Sequence, residues 1–263
     1  MPSPVNMMLL VVLLPIVAAC TGRDTSTANA RPVGADRHGV VIIKPETPYQ
    51  TVSVPNPGAV EGTLTFTGTP KGDTLIHVAA DQNGCGQPLV IQRLERHNGG
   101  VARAVVWLTD VRAGRALPLA RRFDLENDNC SWNPMVQGVV TGGTLNVANW
   151  DPLAERAFAI DIVTGDTVAV APFTDEGQVI PYDRMLRTPG VYEFSAESRP
   201  MSHAWVAVFD HPYFAVTGVD GSFSIDGVPP GVHHIRAWHP LLGIIDGIVT
   251  VVPNGKASVT LHW

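Results

Sequence analysis

The stretch TGVDGSFSIDGVPPGVHHIRAWHP, residues 217–240, decides the fold of this chain. It carries an Asp-Gly pair at 220–221 and a Pro-Pro-Gly triplet at 229–231, and both are turn signals. Between and after these turns, apolar and polar residues alternate with a period of two, which predicts strands. His233, Ile235 and Ala237 are expected to face a core, and His234 and Arg236 to face outward. The stretch therefore predicts a β-scaffold.

The same period recurs through the rest of the folded part. Residues 62–68 read GTLTFTG, with two apolar side chains on one side and threonines on the other. Residues 104–108 and 205–209 are continuous apolar runs, as expected for strands covered on both faces. The 25 glycines and 22 prolines favour many short strands joined by turns. We predict an all-β fold built from sandwiches.

Composition limits the classes of partner. The chain has 263 residues, of which 45% are hydrophobic and 16% charged, so it holds enough apolar material for one large or two ordinary domains. Its formal net charge is −6 and its only tight basic pair is Arg121-Arg122. Because a phosphate backbone is bound by clustered Lys and Arg, we expect no nucleic-acid partner.

The N-terminus reads as a targeting segment. Residues 7–19 are apolar, and at about thirteen residues they fit the h-region of a signal peptide better than a membrane span. They end in Val-Ala-Ala before Cys20, which resembles a bacterial lipobox with Cys20 as the lipidated residue. The alternative is an ordinary secretory signal cut after Ala30. We predict a lipoprotein signal peptide over residues 1–20 and a flexible tether over residues 21–57.

The residue after the lipidated cysteine bears on location. By resemblance to sorted bacterial lipoproteins, Thr21 in place of Asp favours the outer membrane. With Cys20 assigned to lipid, Cys85 and Cys130 remain as an even pair in an oxidising compartment. We predict a disulfide between them, and two buried free thiols are the alternative.

The C-terminal stretch resembles a known family. The order of strand, Asp-Gly turn, Phe-containing strand, Pro-Pro-Gly turn and further strand is similar to the carboxypeptidase regulatory-like domain. That resemblance covers residues 205–263 and implies a small transthyretin-like β-sandwich. It also implies a scaffold role for His233, at a position usually filled by a core aromatic residue.

A longer part of the sequence, roughly residues 59–263, resembles bacterial periplasmic proteins in which a plastocyanin-like (cupredoxin) domain precedes such a sandwich. The motifs DNCSWNP around Cys130 and NWDP at residues 149–152 carry this resemblance. It implies a cupredoxin-like Greek-key sandwich over residues 58–204, packed with the smaller sandwich over residues 205–263.

The copper ligands that this resemblance implies are missing from their positions. A blue-copper site needs two imidazoles, a thiolate and a weak axial thioether. No histidine follows Asp151-Pro152, Ala196 stands in place of the cysteine, and Arg199 stands in place of the second histidine. Met201 is offset from the axial position. We therefore predict no metal, no cofactor and no catalytic residue.

The charged residues at the vacated positions leave two alternatives open. Glu155, Arg156, Glu197 and Arg199 either form ion pairs across the site or are solvated surface charges. No hydrolase, protease or phosphate-binding motif is found elsewhere in the sequence.

The leading functional hypothesis is a non-enzymatic binding or assembly module, anchored to the envelope by lipid, with an unknown protein or glycan partner. A copper-binding or electron-transfer protein is the second hypothesis, and a carbohydrate-binding module with an exposed tryptophan is the third. The second hypothesis would use a site built from the following histidines: His203, His211, His233 and His239.

Overall fold

The computed structural model describes Met1 and residues 47–72, 74–79 and 88–263. The chain divides into two compact units, Met1–Arg31 and Pro32–Trp263, and all the strands given below belong to the second. Within the described residues, no helix combines the length and the apolar character that a membrane crossing requires. The predicted signal peptide, Cys20, Cys85 and most of the predicted tether lie outside the described residues.

Two sheets form what we call the split sandwich, because its strands come from both ends of the folded unit. Sheet 1 contains β2 (Gly58–Thr65), β5 (Arg96–His97), β6 (Gly100–Val101), β19 (Ser222–Val228) and β22 (Lys256–His262). Sheet 2 has the order β18 (Phe214–Val216), β7 (Val105–Leu108), β20 (Gly231–His239), β21 (Gly243–Val251). Two small pairs accompany them, β1 (Gln50–Thr51) with β8 (Ala113–Gly114) and β3 (Leu75–Val78) with β4 (Leu89–Gln92).

Two further sheets form what we call the inserted sandwich, from the chain between β8 and β18. Sheet 3 has the order β11 (Val136–Val140), β17 (Arg199–Phe209), β16 (Gly190–Ala196), β13 (Glu155–Asp161), β14 (Thr167–Phe173). Sheet 4 has the order β10 (Ser131–Asn133), β9 (Arg122–Asp128), β12 (Thr144–Asn149), β15 (Gln178–Tyr182). A single 3₁₀ turn, Met185–Arg187, precedes β16. The predicted all-β class is confirmed.

The four sheets stack in four layers with three apolar cores between them. The first core lies between sheets 1 and 2 and includes Leu64, Leu108, Ile225 and Ile235. The second lies between sheets 3 and 4 and includes Leu125, Leu145, Phe194 and Val206. The third joins the two sandwiches, because sheets 2 and 3 pack against each other through Trp107, Trp205, Phe209 and Trp238. The tryptophans thus concentrate at the junction of the sandwiches.

The two continuous apolar runs are the inner strands of this stack. Along β7, Val106 and Leu108 pack into the first core, whereas Trp107 packs into the third. Along β17, Val206 packs into the second core and Trp205 into the third. The prediction that both runs are covered on both faces is confirmed, because each strand separates two cores.

The strand pairing differs from the predicted sequential division at residues 204 and 205. In sheet 1, Val60 of β2 is opposite Ile225 of β19 on one side and Ala257 of β22 on the other. The N-terminal strands therefore complete the sandwich that residues 205–263 were expected to form alone. Local alternation of side chains identifies strands but carries no information about pairing between residues so far apart in sequence.

The predicted turns in the C-terminal half are present. Gly221 has a φ of +78° and lies in the turn before β19, where a Cβ would collide with the Leu64 carbonyl oxygen. Asn254 has a φ of +54° in the turn before β22, and the Gly255 amide donates to the Val252 carbonyl at 3.0 Å. Gly and Asn tolerate this left-handed conformation better than other residues do.

Candidate functional site

The positions predicted for copper ligands meet at one end of the inserted sandwich. β13 begins at Glu155, and its residue Ala157 is opposite Ala196 of β16. Residues 197–198 then turn the chain into β17, which begins at Arg199. This pairing places the loop that carries Asp151 beside the turn that carries Arg199. Sheet 3 therefore brings together two segments that are far apart in sequence.

Arg199 is the centre of a cluster whose charged side chains are buried; we call it the Arg199 cluster and define it as Cys130, Asp151, Glu155, Ser198 and Arg199. The Arg199 residue is 1% exposed. Its Nη1 lies 2.7 Å from Asp151 Oδ2 and its Nη2 lies 2.9 Å from Glu155 Oε2. The same Nη1 lies 3.0 Å from the Cys130 Sγ. One guanidinium therefore bridges two carboxylates that are themselves 3% and 4% exposed.

The carboxylates of the cluster also accept bonds from the backbone. The Cys130 amide donates to Asp151 Oδ2 at 3.1 Å, and the Arg156 amide donates to Glu155 Oε1 at 3.0 Å. The Ser198 amide donates to Glu155 Oε1 at 3.2 Å, and its hydroxyl donates to Glu155 Oε2. Buried charge is tolerated when it is paired and its remaining acceptor sites are satisfied. The cluster meets that condition.

Two buried asparagines hold the Asp151 loop in place. Asn149 is the last residue of β12, and its Nδ2 donates to the carbonyl oxygens of Asp151 at 3.0 Å and Leu153 at 3.1 Å. Asn127 of β9 donates from Nδ2 to Asn149 Oδ1 at 3.1 Å. The polar residues of the NWDP motif therefore fix a loop that presents a carboxylate to Arg199.

The sequence left two alternatives for the charged residues at this end, ion pairs across the site or solvated surface charges. The first describes the buried residues and the second the exposed ones. Glu155 and Arg199 pair inside the sandwich, whereas Arg156 and Glu197 lie 3.7 Å apart with side chains that are 57% and 59% exposed. Sequence reasoning missed Asp151 as the second buried partner of Arg199. Its only signal was a carboxylate next to proline, which also fits a surface turn.

The other residues near the predicted copper positions supply little chemistry. Ala196 is 2% exposed and packs into the second core. Met201 is half-buried in β17. His203 lies 2.8 Å from Glu193 through Nδ1 and stacks on Trp205 with ring centroids 5.7 Å apart. Because a guanidinium stays protonated and has no acceptor, Arg199 donates hydrogen bonds to the carboxylates and cannot ligate a metal.

The four histidines of the copper alternative do not converge. Within the described part of the chain, no three His, Cys, Asp or Glu side chains form a group suited to a metal. His233 faces the carbonyl oxygen of Pro229 at 2.8 Å, and His234 is exposed on the other face of β20. The predicted inward and outward faces of this strand are confirmed, and His233 is part of the scaffold.

His211 and His239 are buried neutral bases. Burial and the nearby Arg112 lower the pKa of His211 to about 3. Burial lowers the pKa of His239 to about 3 as well, with smaller contributions from Arg103 and Arg93. Each ring accepts a backbone amide at Nδ1, from Tyr213 and Leu241 respectively, at 3.1 Å. Both histidines are therefore acceptors in the folded state at neutral pH.

The tryptophans distribute unevenly between core and surface. Trp150 is 43% exposed and stands beside Gly177, and Trp263 is half-buried at the C-terminus. The remaining four are buried: Trp107, Trp132, Trp205 and Trp238. Trp150, as the most exposed of the six tryptophans, is therefore the candidate for a sugar-stacking platform.

Of the three cysteines predicted to be covalently modified, the described residues include Cys130. Cys130 is 1% exposed and has a φ of +59°. Cys85 and Cys20 lie outside the described residues, so the disulfide and the lipid attachment stay predictions.

Three comparisons relate the chain to known proteins. No protein-family model matches it, and no curated protein matches it. Among solved structures, it is similar to a Cu-containing nitrite reductase from Thermus scotoductus, with 20% identity, a TM-score of 0.30, and 39% of this chain and 25% of that chain covered. The chain thus spans a quarter of that reductase.

Two smaller proteins show a similar likeness. A purple cupredoxin from Nitrosopumilus maritimus shares 20% identity with a TM-score of 0.29, covering 33% of this chain and 99% of that one. Amicyanin from Paracoccus versutus shares 16% identity with a TM-score of 0.25, covering 35% and 85%. With identities of 16–20% and TM-scores of 0.25–0.30, these likenesses carry no argument about the fold, copper or activity of this chain.

Proposed function

We propose that this protein is a non-catalytic binding or assembly module of the bacterial cell envelope, whose inserted sandwich is a cupredoxin-like scaffold closed by an ion cluster in place of a metal. The observation that carries the proposal is the buried guanidinium of Arg199 between Asp151 and Glu155. Arg199 stands where the sequence resemblance implies one copper-ligating histidine, and Glu155 lies in the segment after Asp151-Pro152 where it implies the other.

The charges of the cluster support a scaffold role. A copper ion at this end of the sandwich would lie beside a permanent cation, and the two nearby carboxylates are already engaged with it. Removing Arg199 from its partners would leave buried charges uncompensated, which is strongly unfavourable. The cluster therefore holds the Asp151 loop against the turn before β17, as a bound metal ion would hold its ligand loops together.

Copper titration of the whole protein tests this proposal. After addition of Cu²⁺ and dialysis, we expect less than one copper per chain by metal analysis and no intense thiolate-to-copper absorption band. A variant with His234→Gln and His262→Gln removes two exposed imidazoles and serves as the control for weak surface binding, so it should hold less of any trace of copper. One tightly held copper per chain with that band would restore electron transfer as the function, and tight copper without it would support a histidine site.

The anchor is a separate part of the proposal and rests on the apolar run that ends at Cys20. Cys20→Ser should move the protein from the membrane fraction to the soluble envelope fraction, and a labelled fatty acid should enter only the wild type. Thr21→Ser is the matched control, because it changes the neighbouring hydroxyl residue and keeps the thiol. Sedimentation of Cys20→Ser with the membranes, with no label in the wild type, would rule out the lipid anchor.

A further inference from the structure

A cavity of about 250 Å³ lies between sheets 2 and 3, away from the Arg199 cluster. Its walls include the side chains of Trp107, Phe209 and Trp238, which belong to the third core. The rings of Trp107 and Phe209 are 5.8 Å apart between centroids and inclined by 51°. Small-molecule sites are typically concave, mostly apolar and furnished with a few polar groups, and such sites occur preferentially between domains.

Two hydrogen-bond donors in the residues that line this cavity lack acceptors within the described part of the chain. Arg112 gives its Nη2 to Asp210 Oδ1 at 2.8 Å. Its Nε and the Trp238 Nε1 are both buried, and among the described residues neither has a hydrogen-bond partner. Nearly all buried N–H groups in native proteins are bonded, so two such donors in the lining of one cavity point to an acceptor supplied from outside the chain.

His211 and Arg236 also line the cavity, and neither accepts a hydrogen bond from Arg112 Nε or Trp238 Nε1. His211 lines the cavity as a neutral ring, and its Nδ1 already accepts the Tyr213 amide at 3.1 Å. Arg236 lines it too, and pairs with Asp246 at 2.6 and 3.0 Å. A cationic ligand would meet two arginines against the single carboxylate of Asp210 in the lining.

We propose that this cavity, which we call the junction cavity, binds a small planar aromatic molecule that carries a carboxylate. The rings of Trp107, Phe209 and Trp238 would stack on the aromatic part. The carboxylate would accept from Arg112 Nε and Trp238 Nε1, which can only donate. A cavity of about 150 Å³ suffices for benzene, so about 250 Å³ accommodates one substituted ring or two fused rings. The proposal rests on the proposed binding role and deepens it by naming its site and ligand class.

Ligand-observed ¹⁹F NMR tests the proposal on the full chain carrying Cys20→Ser, which keeps the protein in solution. The probes are 4-fluorobenzoate, fluorobenzene and 4-fluorobenzylamine, which share one ring and differ in charge and acceptor. We expect 4-fluorobenzoate to bind with at least about tenfold higher affinity than either of the others, because a charged hydrogen bond is worth that much. Equal binding of fluorobenzene, or no binding of any probe, would overturn it.

Two variants locate the binding. Arg112→Lys keeps a positive charge beside Asp210 and removes the Nε donor, so affinity for 4-fluorobenzoate should fall about tenfold. Thr109→Trp places a large side chain at an exposed residue of the cavity lining and should abolish binding with no change in the core. Arg122→Lys changes an exposed arginine on sheet 4 and is the matched control.

The outcomes separate this proposal from the scaffold proposal. Unchanged affinity in both Arg112→Lys and Thr109→Trp, with unfolding midpoints like that of Arg122→Lys, would place any binding elsewhere and overturn the junction cavity as the site. Copper titration tests the scaffold independently, since the Arg199 cluster contributes no side chain to the cavity lining.

Discussion

The two sandwiches bury polar side chains in opposite ways. The inserted sandwich buries a charged cluster, in which Arg199 lies between Asp151 and Glu155. The split sandwich and the segment that leads into it from β17 bury two neutral imidazole rings, His239 and His211. Each ring accepts a hydrogen bond from a backbone amide at 3.1 Å. A neutral ring needs one or two partners, whereas a buried charge needs a counter-ion and further hydrogen bonds. The inserted sandwich therefore depends more strongly on the exact set of residues at one end.

The largest expected effect of a single substitution comes from removing the cation of the Arg199 cluster. Arg199→Met should lower the free energy of unfolding by about 5 kcal/mol, at the upper end for a broken buried pair, because two carboxylates lose their counter-ion. Urea unfolding followed by tryptophan fluorescence measures this change. Adding Asp151→Asn and Glu155→Gln to Arg199→Met removes the uncompensated charges and should recover part of the loss.

An unchanged unfolding midpoint in Arg199→Met would mean that the cluster contributes no net stability. The comparison between the two sandwiches would then lose its energetic basis, even though the contacts stay as described.

The second effect concerns Cys130, which lies 3.0 Å from Arg199 Nη1 through its Sγ. If it is joined to Cys85, reduction should lower the free energy of unfolding by about 4 kcal/mol, because a loop of that length loses chain entropy in the unfolded state when it is closed. Alkylation in denaturant without reductant should leave both cysteines unlabelled. Denaturant makes a buried thiol reactive, so labelling of both under these conditions would contradict the disulfide.

The third effect is a pH dependence that belongs to the buried histidines. Because the pKa of His211 and of His239 is lowered to about 3, the folded state stays neutral at these rings while the unfolded chain takes up protons below pH 6.5. The free energy of unfolding is therefore fully retained above pH 6.5. It should fall by about 1.4 kcal/mol per pH unit for each ring as the pH drops from 6 to 4.

Urea midpoints at pH 7, 6, 5 and 4 measure this slope. His239→Gln should reduce it by the share of one histidine, and His234→Gln should leave it unchanged, since His234 is exposed. An equal slope in His239→Gln and in the wild type would show that other groups control the acid sensitivity.

The smallest effect is expected for an exposed ion pair, which serves as a comparison for the buried Arg199 cluster. Arg156 and Glu197 form an ion pair at the same end of the inserted sandwich, but their side chains are 57% and 59% exposed. Arg156→Met should therefore change the free energy of unfolding by less than about 1 kcal/mol. A loss as large as that of Arg199→Met would show that position at this end, rather than burial, decides the value of a charge.

The sequence by itself determined the strands and their faces. Alternation with a period of two separates the sides of β20, so that His233 is buried and His234 exposed. The continuous run 205–209 marks β17 as a strand between two cores, because only a strand covered on both faces has no polar side. For Glu155, Arg156, Glu197 and Arg199 the sequence offered ion pairs or solvated surface charges as alternatives and did not choose between them.

Only the tertiary structure decided which strands pair and which polar groups meet. Sheet 1 joins Val60 to Ile225, and sheet 3 brings the Asp151 loop to Arg199, although local patterns say nothing about such distant partners. The junction cavity likewise exists only because sheets 2 and 3 pack with Trp107 and Trp238 between them. Periodicity follows from backbone geometry within one strand, whereas pairing and cavities follow from the packing of whole sheets.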